Sequence, residues 1–519
     1  MKNKIGIILA LSALFSLNSC EDILTDKPES VLSQVDFYTN STRINLGIMG
    51  CYAGMANVTT VEWRFTEFRS DNTCNSNTGS GSGERVDLCD IAFFRPSSSM
   101  PMIKDYWYRL FQNISNINAV LPSVVDNKYV TIESKRAQYE GELLFMRAYH
   151  YFTLVNLFGD MFKVTTVIGP NEAKKIVRSP VSEIYDEIII PDLIKAASEA
   201  PDTYSLASDK GRITKWAAKA MLAKVYMQLG GADNLALAKP LLQEVLSAPA
   251  YGLLTDKGSI SPSAFANIFN VGNEMNKEII FAVRYLGGDS NLGSQFWTNF
   301  APDGSANIFL KIGTPEGNNN PTLEIMSLFA SDVKDTRSAA SFGTWQKTPT
   351  TAIPYISKFQ DPNMKQSKLS ENDWPVIRYA DVVLLYAEVL AQEPAGFATA
   401  HIEVNKVRAR AGVDPLPAFT STIEALDAVY KERRLELAFE NQRWYDLLRM
   451  NKSYGDSDKA MSILKTHHFV TDWTLLYSKY SPILPPIESF FINDRLLLPI
   501  PQTEIDTNNE MVIKNNPSY

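Results

Sequence analysis

Apolar residues recur at helical spacing over several long stretches of this chain, and this periodicity constrains the fold more than any other feature. In residues 213–230, ITKWAAKAMLAKVYMQLG, one stripe along the helix carries Trp216, Ala220, Ala223 and Met227. The small side chains of this segment allow neighbouring helices to approach closely. The pattern predicts a mostly α protein in which helices pack in pairs, as tetratricopeptide units do.

Four further segments share this periodicity and are predicted to be helices: residues 131–159, 375–392, 397–412 and 423–450. Pro375 occupies a position where helices often begin. Pro191 interrupts the pattern of EIIIPDLIKAA, and we expect it to kink or split that helix because proline lacks the backbone N–H. No clean repeated consensus accompanies the helix pairs, so the predicted core is α-solenoid-like without a sequence repeat.

Two stretches break the helical pattern. Residues 64–100 contain NSNTGSGSG, and residues 284–365 are rich in Gly, Asn, Pro and Thr. Compact domains rarely carry such long irregular segments without a use for them, and binding residues often lie on loops held by a rigid frame. These stretches are therefore predicted to face a ligand.

The N-terminus has the pattern of an export signal. Two lysines precede an apolar run from Ile5 to Leu17, and Cys20 follows shortly after. The run is too short to span a bilayer comfortably, so residues 1–19 are predicted to be a signal peptide. The residues up to Cys20 resemble the lipobox of bacterial lipoproteins, in which this cysteine is acylated. A plain cleaved signal with an incidental cysteine is the alternative.

Charge and cysteine usage narrow the range of partners. The net charge is −8 and no basic block is present, so nucleic acid is not an expected partner. Apart from Cys20, the chain has Cys51, Cys74 and Cys89; a Cys74–Cys89 disulfide would staple the glycine-serine loop, and three free thiols are the alternative. The histidines show no metal-binding spacing, so neither a metal nor a cofactor is expected.

One charged segment, KERRLELAFENQRWYDLLR, could suggest an enzyme. A glycosidase needs two carboxylates that face one bond, one of them with a raised pKa. Here the pairs Glu440–Arg443, Arg443–Asp446 and Asp446–Arg449 are three residues apart, which is the spacing of side-chain ion pairs on a helix. Glu142 and Arg147 are interpreted in the same way. The sequence thus predicts structural ion pairs and a protein that is not an enzyme.

Several stretches together resemble the SusD/RagB family, the surface glycan-binding lipoproteins of Bacteroidetes. They occur in the order found in that family and cover almost the whole chain after Cys20: EDILTDKPES, GELLFMRAYHYFTLVNLFGD, GRITKWAAKAMLAKVYMQLG, VIRYADVVLLYAEVLAQ, NKVRARAGV, KERRLELAFENQRWYDLLRM, LLLPIPQTEI and NNPSY. The resemblance implies a mostly α fold with four tetratricopeptide-like helix pairs that support an irregular, loop-rich ligand-binding half. Residues 20–230 and 231–519 would be its N-terminal and C-terminal regions, packed as one globular unit.

The resemblance also implies a role. Members of the family capture oligosaccharides and act as a lid on a SusC-like TonB-dependent transporter of the outer membrane. Glu21 and Asp22 resemble the family's surface-export signal, which implies a lipid-anchored protein that faces the cell exterior. A lipid-anchored glycoside hydrolase and a protein-binding scaffold or adhesin are the alternatives.

Candidate binding residues follow from the chemistry of sugars, which present apolar C–H faces and a rim of hydroxyls. Trp297 and Trp345 are predicted stacking platforms in the long irregular stretch, with Tyr355 in the same stretch and Phe94 in the earlier one as weaker candidates. For any one of these rings, packing in a small satellite core is the alternative. In the loop FRSDNTCN, where the family often places polar contacts, Asp71 and Asn72 are predicted to bond to hydroxyls. Four other tryptophans on or near helical patterns are assigned to the core: Trp63, Trp107, Trp216 and Trp444.

Overall fold

The structure is a computed structural model that describes residues 37–74, 83–126, 128–258, 261–469, 487–508 and 512–519. Cys20, the predicted signal peptide and the acids Glu21 and Asp22 lie outside the described residues, as does most of NSNTGSGSG. Helices dominate the described chain, as the periodicity predicts. No helix within these ranges is long and apolar enough to cross a membrane.

The N-terminal half contains nine α-helices in the described residues: α1 (Ser41–Glu62), α2 (Gly83–Ala92), α3 (Pro101–Val125), α4 (Glu133–Phe158), α5 (Pro170–Ala173), α6 (Val181–Ile184), α7 (Ile190–Glu199), α8 (Lys215–Leu229) and α9 (Ala232–Leu246). Ten more follow in the described part of the C-terminal half: α10 (Ala264–Ile268), α11 (Phe296–Phe300), α12 (Leu323–Ala330), α13 (Ser338–Ser341), α14 (Tyr379–Ala391), α15 (Phe397–Ala411), α16 (Thr422–Glu436), α17 (Arg443–Ser453), α18 (Lys459–Phe469) and α19 (Gln502–Thr507).

The long helices pack as an ordered array. Four pairs lie in contact, α1 with α3, α4 with α7, α8 with α9, and α14 with α15. Neighbouring pairs also touch, through α3 with α4, α7 with α8, and α9 with α14. One hydrophobic core runs through the whole array, from Ile44 near the start of α1 to Ile513 near the C-terminus. This array is the frame on which the irregular segments rest.

Strands are short and occur as four antiparallel pairs in the described residues. The pairs are β1 (Thr73–Cys74) with β5 (Asn320–Pro321), β2 (Met161–Phe162) with β3 (Arg178–Ser179), β4 (Ile279–Val283) with β8 (Trp374–Arg378), and β6 (Phe342–Thr348) with β7 (Thr351–Ile356). The β6–β7 hairpin and the short helices α11 to α13 lie inside the irregular stretch that the composition marks.

Local sequence signals account for the ends of the predicted helices. At the start of α8, the hydroxyl of Thr214 accepts a hydrogen bond from the backbone N–H of Ala217, 3.3 Å away. The helix ends at Gly230, which has φ = +67°, a conformation that costs little without a Cβ. Gly412, with φ = +83° in the left-handed α region, ends α15. The predictions for residues 213–230 and 397–412 are thus confirmed.

Two helix predictions need correction. Residues 375–378 belong to β8, so Pro375 lies in a strand and the helix begins only at Tyr379. Residues 423–450 are two helices, because the chain turns between α16 and α17 with φ = +69° at Phe439 and +61° at Asn441. The expected disturbance at Pro191 is present as a π-helical turn, in which the N–H of Ile190 donates to the carbonyl of Tyr185.

The structure also shows whether the cysteines and the tryptophans assigned to the core are buried. Cys51, Cys74 and Cys89 are buried free thiols, so the Cys74–Cys89 disulfide does not form and the alternative holds. Trp63, Trp107 and Trp444 are buried. Trp216 is half-buried and packs against the edge of the core, with the Lys215 ammonium 4.5 Å from the centre of its ring.

Candidate functional site

The structure brings three of the predicted binding residues together in one cluster of rings. Trp297 on α11, Trp345 on β6 and Tyr355 on β7 surround the side chain of Phe309, which is not among the residues predicted from the sequence. The centre of the Phe309 ring is 4.7 Å from that of Tyr355, 6.2 Å from Trp297 and 6.3 Å from Trp345. We call these four residues the aromatic cluster.

The β6–β7 hairpin positions two of these rings. Gly343 pairs with Tyr355 and Trp345 pairs with Ile353, so the four side-chain positions share one face of the hairpin. A Cβ on Gly343 would lie 2.6 Å from the Tyr355 ring, so only glycine leaves room for the tyrosine to cross the neighbouring strand. The hairpin therefore presents Tyr355 and Trp345 on one side.

Exposure differs among the four rings. Trp297 is 2% exposed and forms a small hydrophobic cluster with Ala301, Leu310 and Met364. Phe309, Trp345 and Tyr355 are each partly exposed. The prediction that Trp297 is a stacking platform is therefore wrong, because its ring is buried and supports the cluster from below. The other three rings offer apolar surface to solvent, which is the surface that a stacking sugar needs.

A cavity of about 260 Å³ opens beside Trp297 and Phe309. Its walls combine Trp297, Phe309 and Met364 with the polar side chains of Lys311 and Gln360. Ile308, which is 63% exposed, stands at the same cavity. An apolar surface with a few polar groups at its edge can hold a sugar ring and its hydroxyls together.

Asp71 and Asn72 do not belong to this surface. Both are fully buried, and both oxygens of Asp71 accept hydrogen bonds from Arg443, at 2.7 and 2.8 Å. Burial alone would raise the pKa of Asp71, but the charges of Arg434 and Arg443 hold it well below its usual range. The Asn72 amide donates to Glu67 at 2.9 Å, and its oxygen accepts from Arg434 at 2.9 Å. Their hydrogen-bonding capacity is used inside the protein.

Phe94 is likewise a core residue. It is fully buried, and its ring centre lies 5.0 Å from that of Phe491 and 6.2 Å from that of Trp444. The guanidinium of Arg69 lies 5.2 Å from the Phe94 ring. The solvent-facing patch predicted from both irregular stretches is therefore corrected to the later stretch alone, without Asp71, Asn72 and Phe94.

The charged segment forms buried ion pairs, but mostly with partners distant in sequence. Asp446 pairs with Arg449 at 2.7 Å, as the spacing predicts. Arg443 pairs instead with Asp71, and Glu440 with Lys358 and Arg378. In α4, the other two predicted charges also have distant partners: Glu142 with Arg212 and Arg147 with Asp192. The structural role is confirmed, and two of the three predicted pairs within the segment are wrong.

One pair of acids has the electrostatics that catalysis would require, but not the space. Burial, together with the nearby charge of Asp373, raises the pKa of Glu274, and burial raises the pKa of Asp373. Arg284 contacts both carboxylates. The cavity beside them holds only about 20 Å³, which is too small for a sugar ring. In the described residues, no group of three or more His, Cys, Asp or Glu side chains could hold a metal ion.

The protein is mostly α, and its irregular segments carry the partly exposed aromatic cluster. Two family models match this chain: the SusD family over residues 331–519, and a family described as starch-binding and associating with the outer membrane over residues 28–227. The chain belongs to the SusD/RagB family of outer-membrane-associated glycan-binding proteins.

Relatives and solved structures agree with this assignment. SusD-like protein P25 of Formosa agariphila is 26% identical over 490 residues, which cover 86% of this chain and 89% of the relative. A SusD-like protein of Bacteroides ovatus is 23% identical over 487 residues, with coverage of 86% and 82%. A solved structure described as a laminarin binding SusD-like protein is 25% identical, with a TM-score of 0.73 over 93% of this chain and all of that one.

The fold is also that of a SusD homologue from Bacteroides thetaiotaomicron, which is 20% identical and has a TM-score of 0.74. The alignment covers 95% of this chain and 100% of that one. The predicted fold class, with helix pairs beneath an irregular half, is confirmed.

Proposed function

We propose that this protein is a cell-surface lipoprotein that captures oligosaccharides on the aromatic cluster. The single observation that supports the proposal is the group of partly exposed rings of Phe309, Trp345 and Tyr355, of which Phe309 also lines a cavity with polar side chains in its wall. Rings left open to solvent waste hydrophobic area unless something binds to them. The laminarin-binding description of a similar structure supports an oligosaccharide as the ligand. Binding without hydrolysis is part of the proposal.

We expect Trp345→Ala to weaken glycan binding about thirtyfold, which corresponds to about 2 kcal/mol for a central aromatic anchor. Trp345 is partly exposed, so its loss should leave the melting temperature nearly unchanged. Isothermal titration calorimetry provides the measurement, with the strongest binder from a panel of laminarin, starch, galacturonan and sulfated galactan oligosaccharides.

The matched control is Trp216→Ala, which removes another half-buried tryptophan ring, on α8 and away from the aromatic cluster. This variant should bind like the wild type. Wild-type affinity in the Trp345→Ala variant would place the glycan elsewhere, and wild-type binding to none of the oligosaccharides would contradict the proposed function.

The proposal extends to the membrane and to a transporter. Cys20 would carry the lipid anchor, and the protein would pass its glycan to a SusC-like TonB-dependent barrel in the outer membrane. The family description, which associates such proteins with the outer membrane, supports this location. A tethered lid also explains why a binder would be anchored by lipid at the cell exterior.

The anchor and the transporter can be tested together in the native host. We expect the wild type to fractionate with the outer membrane and to co-purify with a TonB-dependent barrel in mild detergent. Cys20→Ala should leave the membrane fraction or remain unprocessed. Membrane-bound wild type with an unmodified Cys20 by intact mass would contradict lipidation, and purification without any barrel would contradict the transport role.

A further inference from the structure

Two lysines adjoin the aromatic cluster without a carboxylate partner in the described part of the chain. Lys311 lines the cavity beside Trp297 and Phe309, and its side chain is exposed. The Lys347 ammonium lies 5.9 Å from the centre of the Trp345 ring. Its hydrogen-bond partner is the backbone carbonyl of Asp303, at 3.5 Å. The positive charge of both ammonium groups is therefore open to a ligand.

The acidic group at this cavity is already occupied. Asp361 lines the cavity but is only 3% exposed. One of its carboxylate oxygens accepts the N–H of Asn363 at 2.9 Å, and the other accepts the N–H of Glu371 at 2.9 Å. These bonds hold the loop in shape and disperse the carboxylate charge. The positive charge of the two exposed lysines is therefore more accessible to an approaching ligand than the negative charge of Asp361.

We propose that the glycan bound at the aromatic cluster is anionic, and that Lys311 and Lys347 hold a carboxylate or sulfate on one of its sugars. The inference rests on the proposed function and names the class of its ligand. A sugar that stacks on Trp345 lies next to the Lys347 ammonium, since this cation sits over the same ring. Lys311, two residues after Phe309, reaches the ligand from the cavity.

The charge of the ligand can be varied while its backbone is kept. The probes are oligosaccharides of galacturonate, of mannuronate and guluronate, and of sulfated galactose, each compared with its carboxyl-reduced or desulfated counterpart. At least one acidic probe should bind at least about tenfold more tightly than its neutral counterpart, the usual size of a charge-assisted contact. Rising ionic strength should reduce the difference, because salt screens exposed charges.

The double variant Lys311→Met and Lys347→Met should abolish the preference for the acidic probe. Methionine keeps an unbranched apolar stem at both positions, so the change is chiefly one of charge. Lys334→Met is the matched control, because Lys334 is exposed and pairs with Asp414 at 2.6 Å. This control should keep the preference.

The outcomes separate the inference from the proposed function. Equal or tighter binding of the neutral counterparts overturns the anionic ligand and leaves glycan capture intact. An undiminished preference in the double variant also overturns the inference, since the charges then act from elsewhere. Failure of every probe, acidic and neutral, to bind the wild type overturns both proposals.

Discussion

Replacing Arg378 with methionine should destabilise the protein by about 3–5 kcal/mol, the usual cost of breaking a buried ion pair from one side. The guanidinium is 1% exposed and binds three carboxylates. Its distances are 2.7 Å to Glu278, 3.1 Å to Glu436 and 2.7 Å to Glu440. Without the arginine, these acids remain buried with too few cations.

The loss should be large because the three acids belong to a wider network. Glu436 also pairs with Arg337 and Arg410, and Glu440 pairs with Lys358 at 2.9 Å. The network links β8, α16 and the chain ahead of β6, so it joins the helical frame to the segment that carries the hairpin. Removal of one cation unbalances all of these contacts together.

Urea unfolding followed by circular dichroism measures the effect. Lys195→Met is the control, because Lys195 is 45% exposed and pairs with Glu199 one helical turn away. That surface pair should contribute no more than about 0.5 kcal/mol. Adding Glu440→Gln to Arg378→Met should restore part of the stability, since it removes one uncompensated charge. An unfolding midpoint equal to that of the wild type would contradict the role of Arg378.

The sequence predicts the helical frame well because helix formation depends on local periodicity and end signals. The error at residues 423–450 has a non-local cause. The carboxylate of Glu67 accepts the backbone N–H groups of Phe439, at 3.0 Å, and Asn441, at 3.1 Å. Glu67 lies more than three hundred positions earlier in the chain, yet it supplies the acceptors for the backbone N–H groups of the turn between α16 and α17. The periodicity of residues 423–450 does not indicate this contact with Glu67.

The aromatic cluster is predictable from the sequence only in part, for the same physical reason. Large rings in a polar, glycine-rich stretch must either pack together or bind something, and this marks out Trp297, Trp345 and Tyr355. The sequence does not show that Trp297 is the ring that packs inside. Phe309 follows Ile308 in the same stretch, and its apolar neighbour was an available signal. The role of Asp71 could not be predicted locally, because its burial depends on arginines in α16 and α17.

The contribution of Glu62 to stability should fall as the pH rises from 5 to 8, and Glu62→Gln should remove this contribution. Burial also raises the pKa of Glu67 and lowers the pKa of His150, so the difference between the variant and the wild type isolates Glu62. Burial raises the pKa of Glu62 to about 7, against the lowering effect of hydrogen bonds from Tyr149 and Tyr445. Between the ordinary carboxyl pKa and this value, the folded state holds a proton that the unfolded state releases. Folding therefore binds protons, and the free energy of unfolding decreases as the pH rises.

The size of this effect follows from the shift. A rise in the pKa from 4.5 to about 7 lowers the free energy of unfolding by about 3 kcal/mol. The full decrease is reached above the folded-state pKa. Relative to the wild type, Glu62→Gln should gain up to about 3 kcal/mol between pH 5 and pH 8, because its amide does not ionise. Denaturant unfolding at both pH values provides the comparison.

A second variant tests the assignment to Glu62 from the opposite direction. The Tyr149 hydroxyl lies 3.2 Å from a carboxylate oxygen of Glu62, and its hydrogen bond favours the ionised acid. Tyr149→Phe removes that donor, so it should raise the pKa of Glu62 further. The decrease in stability should then continue to a higher pH than in the wild type. Combined with Glu62→Gln, the same tyrosine change should have no effect on the pH dependence. Equal slopes in the wild type and Glu62→Gln would show that Glu62 ionises alike in the folded and unfolded states.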